Sequence, residues 1–444
     1  MTERRRMNPL AFYAMAYAGA AATQKGVGFI VIFWLAQALP VEDYAQFGLM
    51  FALQSGVAML AGAGILDSVI GLLQSNATPD ARARLFRQAN GVLLQLSLLT
   101  IVIASMVYLV VVNDRGSVGL GLSAVLCGGA LLAYFTHQAT LVRLEERHRD
   151  SLLFVIAGPL TGFLFAFLAF REFGGVDAFF FGMASGLLAS AFVLRVTGVG
   201  AYGIHGSIDA TAKIRARLLP FLFIALLSWL AGYGNTYIVK LLFQSQDVAR
   251  FTFLFTVSSI MHLVATSTNQ VWSPRFFRLV HDIDRADMEA RNARFYVLQG
   301  GALGITGAAV LLALPPALQY FGGNLSAYQG LEVELFLLFA GYAVSVPWWH
   351  AQNYFLAFGK GSALMRAVFA SSIVGLIVWV LLMVVLGDIG IYVGFLVQMC
   401  LRSAWVMVLS ARRWGIRLAW PGVALALLLM GGALATGYVI DSIG

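Results

Sequence analysis

What most constrains this chain is a series of thirteen apolar stretches, each close to bilayer length and separated by short polar breaks. A bilayer-spanning helix needs about 20 mostly apolar residues. The stretches fall at 9–38, 44–73, 89–112, 118–142, 152–170, 176–197, 218–243, 248–273, 295–319, 333–358, 363–386, 389–411 and 418–440. No polar segment between them is long enough for a separate soluble domain. Of the 444 residues, 60% are hydrophobic and 11% charged, against about 25% charged in soluble domains. That is too little polar surface to cover a water-soluble core, so the fold expected is an all-α polytopic membrane protein.

The net charge of +8 points to cytoplasmic loops rather than to nucleic acid, because basic residues collect on the inner side of a membrane protein. With the N-terminus inside, the inner segments hold Arg4–Arg6, Arg82–Arg87, Arg143–Arg149, Arg195–Arg217, Arg275–Arg294, Lys360–Arg366 and Arg412–Arg417. The outer ones hold only Arg115, Arg171 and Arg250. This predicts a multi-pass membrane protein with its N-terminus in the cytoplasm and its C-terminus outside. A cleaved signal peptide is a competing reading of Arg4–Arg6 followed by Leu10–Ala22. Cleavage would leave Gly26–Leu39 too short to span, so one long uncleaved helix is expected. Cys127 and Cys400 sit inside apolar stretches, which argues against a disulfide or metal site. No Gly-rich phosphate loop ending in Lys-Ser/Thr occurs, so no nucleotide cofactor is expected.

The chain also repeats itself. Asp43-Tyr44-Ala45-Gln46-Phe47 opens the second stretch and Asp247-Val248-Ala249-Arg250-Phe251 opens the eighth, with Ser55 and Ser259 at the same offset. Six stretches separate the copies, an even number, so both halves enter the membrane in the same sense. That predicts two six-helix bundles related by a pseudo-two-fold axis along the membrane normal, with a pathway between them. The expected domains are residues 1–210, residues 211–414 and an additional helix in 415–444.

Polar groups deep in a span are costly and usually face a cavity or a partner. Lys25 lies about 28 Å along the first helix from Arg6 at 1.5 Å per residue. It shares a face with Tyr13, Tyr17 and Ala21, beside a packing stripe of Ala14, Ala18, Ala22 and Gly26. It reads either as a cavity cation awaiting an anion or as the structural partner of Asp67, itself a candidate for ion coupling. Arg402, four residues after Gln398, is also internal to its span, though it could snorkel toward Arg412. Lys240, near a helix end, reads as a snorkelling residue. In the eighth stretch Ser258, Ser259, His262, Thr266, Asn269 and Ser273 recur at helical spacing, as a wet cavity wall or as interhelical bonding groups. The tenth contains Pro347-Trp348-Trp349-His350-Ala351-Gln352-Asn353-Tyr354, where aromatics beside amides suit sugar faces and hydroxyls or form an interfacial belt. The candidate substrate-binding residues are therefore Lys25, Arg402, His262, Thr266, Asn269, Trp349, His350 and Asn353.

The run from Lys25-Gly26 through Leu39-Pro40-Val41-Glu42-Asp43-Tyr44-Ala45-Gln46-Phe47-Gly48 resembles the start of polysaccharide-type flippases. So do Ala61-Gly62-Ala63-Gly64 and Leu144-Glu145-Glu146-Arg147. These are the O-antigen and exopolysaccharide translocases of the multidrug/oligosaccharidyl-lipid/polysaccharide (MOP) exporter superfamily. The resemblance covers the whole helix plan through loose local motifs. It implies two six-helix lobes, alternating access, and a cationic cavity holding the pyrophosphate of an undecaprenyl-linked oligosaccharide used in lipopolysaccharide or other surface polysaccharides. It further implies membrane lipids, a polysaccharide polymerase and glycosyltransferases as partners, while coupling to H+, to Na+ or to the membrane potential is left open. Relatives often place a basic residue in the first helix, as Lys25 does here. Where their seventh helix often has an Asp-Arg-like pair, this chain has Gly234-Asn235-Thr236, and its thirteenth helix exceeds a twelve-helix core. A membrane glycosyltransferase or O-antigen ligase would share the substrates, and Glu42-Asp43 resembles an acidic pair of such enzymes. The outer loops are too short to hold an acceptor and a metal, which argues against an enzyme. A cation-coupled multidrug exporter of the same superfamily would favour buried carboxylates, whereas the deep charges here are mainly basic.

Overall fold

A computed structural model describes residues 9–73, 78–112, 120–199, 202–204, 208–215, 218–358, 360–416 and 420–443, and among them it is helical with no strand. In chain order the helices are α1 (Pro9–Ala38), α2 (Val41–Gly62), α3 (Ile65–Leu73), α4 (Pro79–Val112), α5 (Leu120–Leu144), α6 (His148–Phe173), α7 (Gly175–Val196) and α8 (Ile208–Arg215). They continue with α9 (Leu219–Leu230), α10 (Asn235–Leu242), α11 (Ser245–Leu279), α12 (Arg285–Phe321), a 3-10 turn (Gly323–Tyr328), α13 (Glu332–Ala357), α14 (Gly361–Leu386), α15 (Ile389–Trp414) and α16 (Pro421–Ile443). Among the described residues ten helices are long and apolar enough to cross a membrane, or eleven when the bent pair of α9 and α10 is counted as one span. With α1 and α13, every stretch read from the sequence coincides with one helix or one broken pair.

The chain divides into two compact units. The first is Met1–Leu35 with Gln46–Tyr237, and the second is Ala36–Ala45 with Ile238–Gly444. The connector grouped with the second unit is held by local contacts there. Asn324 donates to the Gln37 carbonyl at 3.2 Å, and the Tyr44 ring lies 5.7 Å from that of Tyr328.

Two spans that read as continuous are broken. The second stops at Gly62 and resumes at Ile65, and the seventh bends by 49° between Leu230 and Asn235. Gly64 has φ +69°, and a Cβ there would meet Phe221 at 2.5 Å. A left-handed backbone with a ring against it admits only glycine. At the other break the Trp229 indole donates to the Ala52 carbonyl at 2.8 Å, and a Cβ on Gly56 would lie 2.8 Å from that ring. Each break is thus fixed by a neighbouring helix of the same unit.

The repeat has a structural reading. Asp43 and Asp247 fall in the first turns of α2 and α11, where a carboxylate offsets the positive end of the helix dipole. Asp247 also accepts a hydrogen bond from the Gln244 backbone N–H at 3.3 Å. Ala45 and Ala249 are buried, and so are the two phenylalanines. Phe47 packs on Phe179 and Phe180 near the start of α7, and Phe251 packs on Tyr392 near the start of α15. In the same sense α7 packs on α5 and α6, and α15 on α13 and α14.

The C-terminal helix α16 is bound into the second unit along α12. A Cβ on Gly300 would meet the Gly422 carbonyl oxygen, one on Gly304 would meet Leu429 at 2.7 Å, and one on Gly307 would meet the Met430 sulfur. Glycines at i, i+4 and i+7 let two helix backbones approach closely, which is how apolar helices associate where lipid supplies no hydrophobic drive.

Candidate functional site

The polar stripe of α11 turns partly toward α13, the helix it packs on. His262 is half-buried, its ring 5.9 Å from Tyr342 and 6.1 Å from Trp349. Thr266 donates to the carbonyl of His262 at 2.8 Å, so its hydroxyl is satisfied within its own helix. Asn269 accepts from Asn353 Nδ2 at 3.3 Å, and Ser273 donates to Asn353 Oδ1 at 3.2 Å. Asn353 is 2% exposed, which makes it a bridge between the two helices.

His350 lies deeper, fully enclosed at 0% exposure. Its Nδ1 is 3.2 Å from Asn292 Oδ1, its Nε2 is 2.9 Å from Gln299 Oε1, and its ring stacks on Tyr296 at 3.7 Å. The two amides are oriented from outside. The Trp272 indole, a donor only, gives its N–H to Asn292 Oδ1 at 2.7 Å. Gln299 Nε2 donates to the Ala265 carbonyl at 3.0 Å and to Thr268 at 2.8 Å. Asn292 Nδ2 donates to the Tyr354 hydroxyl at 3.3 Å. The result is a lattice through α11, α12 and α13 with the imidazole at its centre. Sequence reading placed His350 but not its partners: Asn292 fell outside the apolar stretch expected at 295–319, and Gln299 and Tyr296, inside it, carry no signal of which helix they face.

Arg402 sits midway along the 26-residue α15, with its guanidinium carbon 4.3 Å over the Trp348 ring. Its Nε is buried without a hydrogen bond, as are Trp348 Nε1, Gln398 Oε1 and Ser403 Oγ. The ion pairs among the described residues do not involve it. An arginine at this depth, stacked on an indole and unmatched by a carboxylate, is a cation equipped to receive an anion.

The second unit thus brings His262, Asn269, Trp349, His350 and Asn353 together on the facing α11 and α13, with Arg402 on α15 against Trp348, the neighbour of Trp349 in chain and in space. Lys25 and Asp67 lie in α1 and α3, but their side chains fall outside the described residues. The first unit contributes a feature that no motif announced: a cleft of about 270 Å³ among α2, α4 and α9, lined by Leu53, Leu96, Ile103, Leu226 and Trp229 among others and almost wholly apolar.

No family model matches the chain, and no curated relative does. Solved structures do. The structure of "Lipid II flippase MurJ, inward closed conformation" matches with a TM-score of 0.71 at 11% identity, covering 97% of this chain and 93% of that one. An inward-facing multidrug resistance MATE family transporter of the MOP superfamily matches with a TM-score of 0.63 at 15% identity, over 88% of this chain and 94% of that one. The eukaryotic MATE transporter AtDTX14 matches with a TM-score of 0.54 at 12% identity, over 95% and 97%. At such identities the likeness is one of fold. The chain has the all-α polytopic fold of MOP-superfamily transporters and flippases.

Proposed function

We propose that this protein flips undecaprenyl-pyrophosphate-linked oligosaccharide units across a bacterial cytoplasmic membrane by alternating access, for the assembly of O-antigen or another surface polysaccharide. The observation that carries the reading is Arg402, the charged side chain described at mid-span, which is basic and has no acidic partner among the described residues. A pyrophosphate cannot cross about 30 Å of hydrocarbon without a compensating cation, and Coulomb attraction strengthens as the effective dielectric falls. Lys25 in α1 is the second proposed cation, Trp349 and Asn353 the groups nearest in kind to those that hold sugars, and Asp67 a coupling or pairing carboxylate. The apolar cleft of the first unit is in keeping with a substrate whose tail stays in hydrocarbon while its head crosses. The basic residues of the alternate loops support a cytoplasmic N-terminus. Polymerase and glycosyltransferases are the natural neighbours in such an assembly line.

A cation-coupled multidrug exporter is the second reading, because MATE family multidrug transporters share the fold. The two separate in proteoliposomes. Loaded with a fluorescent polyprenyl-pyrophosphate oligosaccharide, vesicles containing the protein should expose the glycan to an external lectin faster than empty vesicles, and Lys25→Ala should slow that exposure. Transport of a cationic dye with no glycan exposure would overturn the flippase reading in favour of the exporter.

A further inference from the structure

The cage around His350 is matched to a ring that carries two protons. A neutral imidazole has one N–H and one lone pair, whereas the imidazolium has two N–H groups. Here both ring nitrogens face carbonyl oxygens, Asn292 Oδ1 at 3.2 Å and Gln299 Oε1 at 2.9 Å. Neither amide can turn to relieve the mismatch. Rotating Asn292 would set its NH2 against the Trp272 N–H, and rotating Gln299 would set its oxygen against the Ala265 carbonyl. With a neutral ring, one carbonyl meets a lone pair inside a fully buried site.

From this we infer that His350 is a proton-binding site whose occupancy is linked to the spacing of α12 and α13. Two fixed carbonyls and the stacked face of Tyr296 favour the charged ring, while its complete burial without a carboxylate opposes it. The balance therefore depends on how closely α12 holds its amides to α13. Proton loss drives one carbonyl back from the ring, and proton gain draws both in, so protonation and helix spacing are linked. The titratable groups facing the ring are Tyr296 of α12 and, through Asn292, Tyr354 of α13 itself. From α11 the lattice is reached through Trp272, which does not titrate, and on α15 Arg402 lies against Trp348 instead. From α16, Gly422 backs the Tyr296 carbonyl, and α14 meets the Trp348 side of α13.

The test is nitrogen-15 NMR of the full-length protein, labelled at its 6 histidines and embedded in lipid. The signal missing from His350→Gln identifies the residue. On acidification within the range where the fold persists, that signal should move to the imidazolium position with both nitrogens hydrogen-bonded. At one fixed pH, Gln299→Leu should reduce its imidazolium fraction by about tenfold, the worth of one hydrogen bond to a charged group, and Gln299→Glu should raise it. A signal that stays neutral until the protein unfolds, or that ignores both Gln299 variants, overturns the inference. If His350→Gln does not fold, the Gln299 pair decides on the wild-type background of the histidine. None of these readouts needs a transport substrate, so absence of glycan flipping with normal His350 titration would count against the flippase reading alone.

Discussion

The fourth and tenth spans carry a histidine at the same point, seven residues before the helix ends: His137 in α5 and His350 in α13. Both are enclosed, at 1% and 0% exposure. Both ring nitrogens of His350 are engaged in a three-helix lattice, whereas both nitrogens of His137 are buried without a hydrogen bond. In the first unit the polar contact has moved one residue along, to Gln138, which donates to Asn90 at 2.8 Å, and Asn90 in turn donates to the Tyr202 carbonyl at 2.9 Å. The sixth and twelfth spans differ likewise. The middle of α15 holds Arg402, and the middle of α7 holds Leu187, Leu188 and Ala189. A repeated scaffold has therefore been given unequal contents, with a bonded histidine and a deep cation in the second unit and an unbonded histidine and an apolar cleft in the first. Fold repetition sets where a side chain stands, and its neighbours decide what it can do.

The largest effect expected from this contrast is at Arg402. Truncating one member of a buried charge pair costs about 2–5 kcal/mol. Arg402→Ala should therefore lower the rate of glycan exposure in vesicles by thirtyfold or more with the protein still inserted, about 1.4 kcal/mol per tenfold. Arg402→Lys should keep part of the activity, because a point charge remains although the guanidinium over the Trp348 ring is lost. Leu188→Ala in the first unit should leave transport near the wild-type rate. Equal losses at both positions would mean that the twelfth span carries no special charge.

The next effect is on stability. Asn292→Leu removes the acceptor of Trp272 and a partner of both His350 and Tyr354. Each buried polar group left unsatisfied costs about 1–3 kcal/mol, so the variant should unfold at a clearly lower temperature in detergent. Asn90→Leu in the first unit, which frees Gln138 and two loop carbonyls, should cost less, since the loop carbonyls can turn to water. If the order reverses, the second unit's lattice is not the more consequential of the two.

The spans could be read directly because their cause is local. Runs of apolar residues long enough for a bilayer have few other solutions, and alternating basic loops divide them. The two breaks could not, since Gly64 and Gly56 look like ordinary small residues until Phe221 and Trp229 arrive from a distant helix. The candidate site was legible by residue type but not by connection. His350, Asn353 and Asn269 stand out as polar residues in apolar runs. The partner Asn292 lies where α12 extends, from Arg285, into what reads as a basic loop, while Tyr296 and Gln299 stand inside an expected span with nothing in the sequence to pair them with His350. Arg402 announces itself as a deep charge, while its seat on Trp348 depends on how α13 and α15 pack.

The smallest effect expected is also the one that most sharpens the comparison. His137→Leu replaces a buried imidazole that makes no hydrogen bond with an apolar group of similar length. A polar group buried without a partner costs roughly 1–3 kcal/mol by protein mutational data. Removing it should recover a part of that, offset by imperfect packing of a branched side chain in a space shaped for an imidazole. Unfolding temperature should therefore stay the same or rise slightly. His350→Leu, the same change at the equivalent point, should lower it, because Asn292 Oδ1 and Gln299 Oε1 lose their partner and the stack on Tyr296 disappears. The two variants share chemistry, depth and helix position, so any difference between them reports the surroundings alone. Destabilisation of the same size in both would show that His137 has polar partners in the folded protein and that the two units are more alike than their hydrogen bonds indicate.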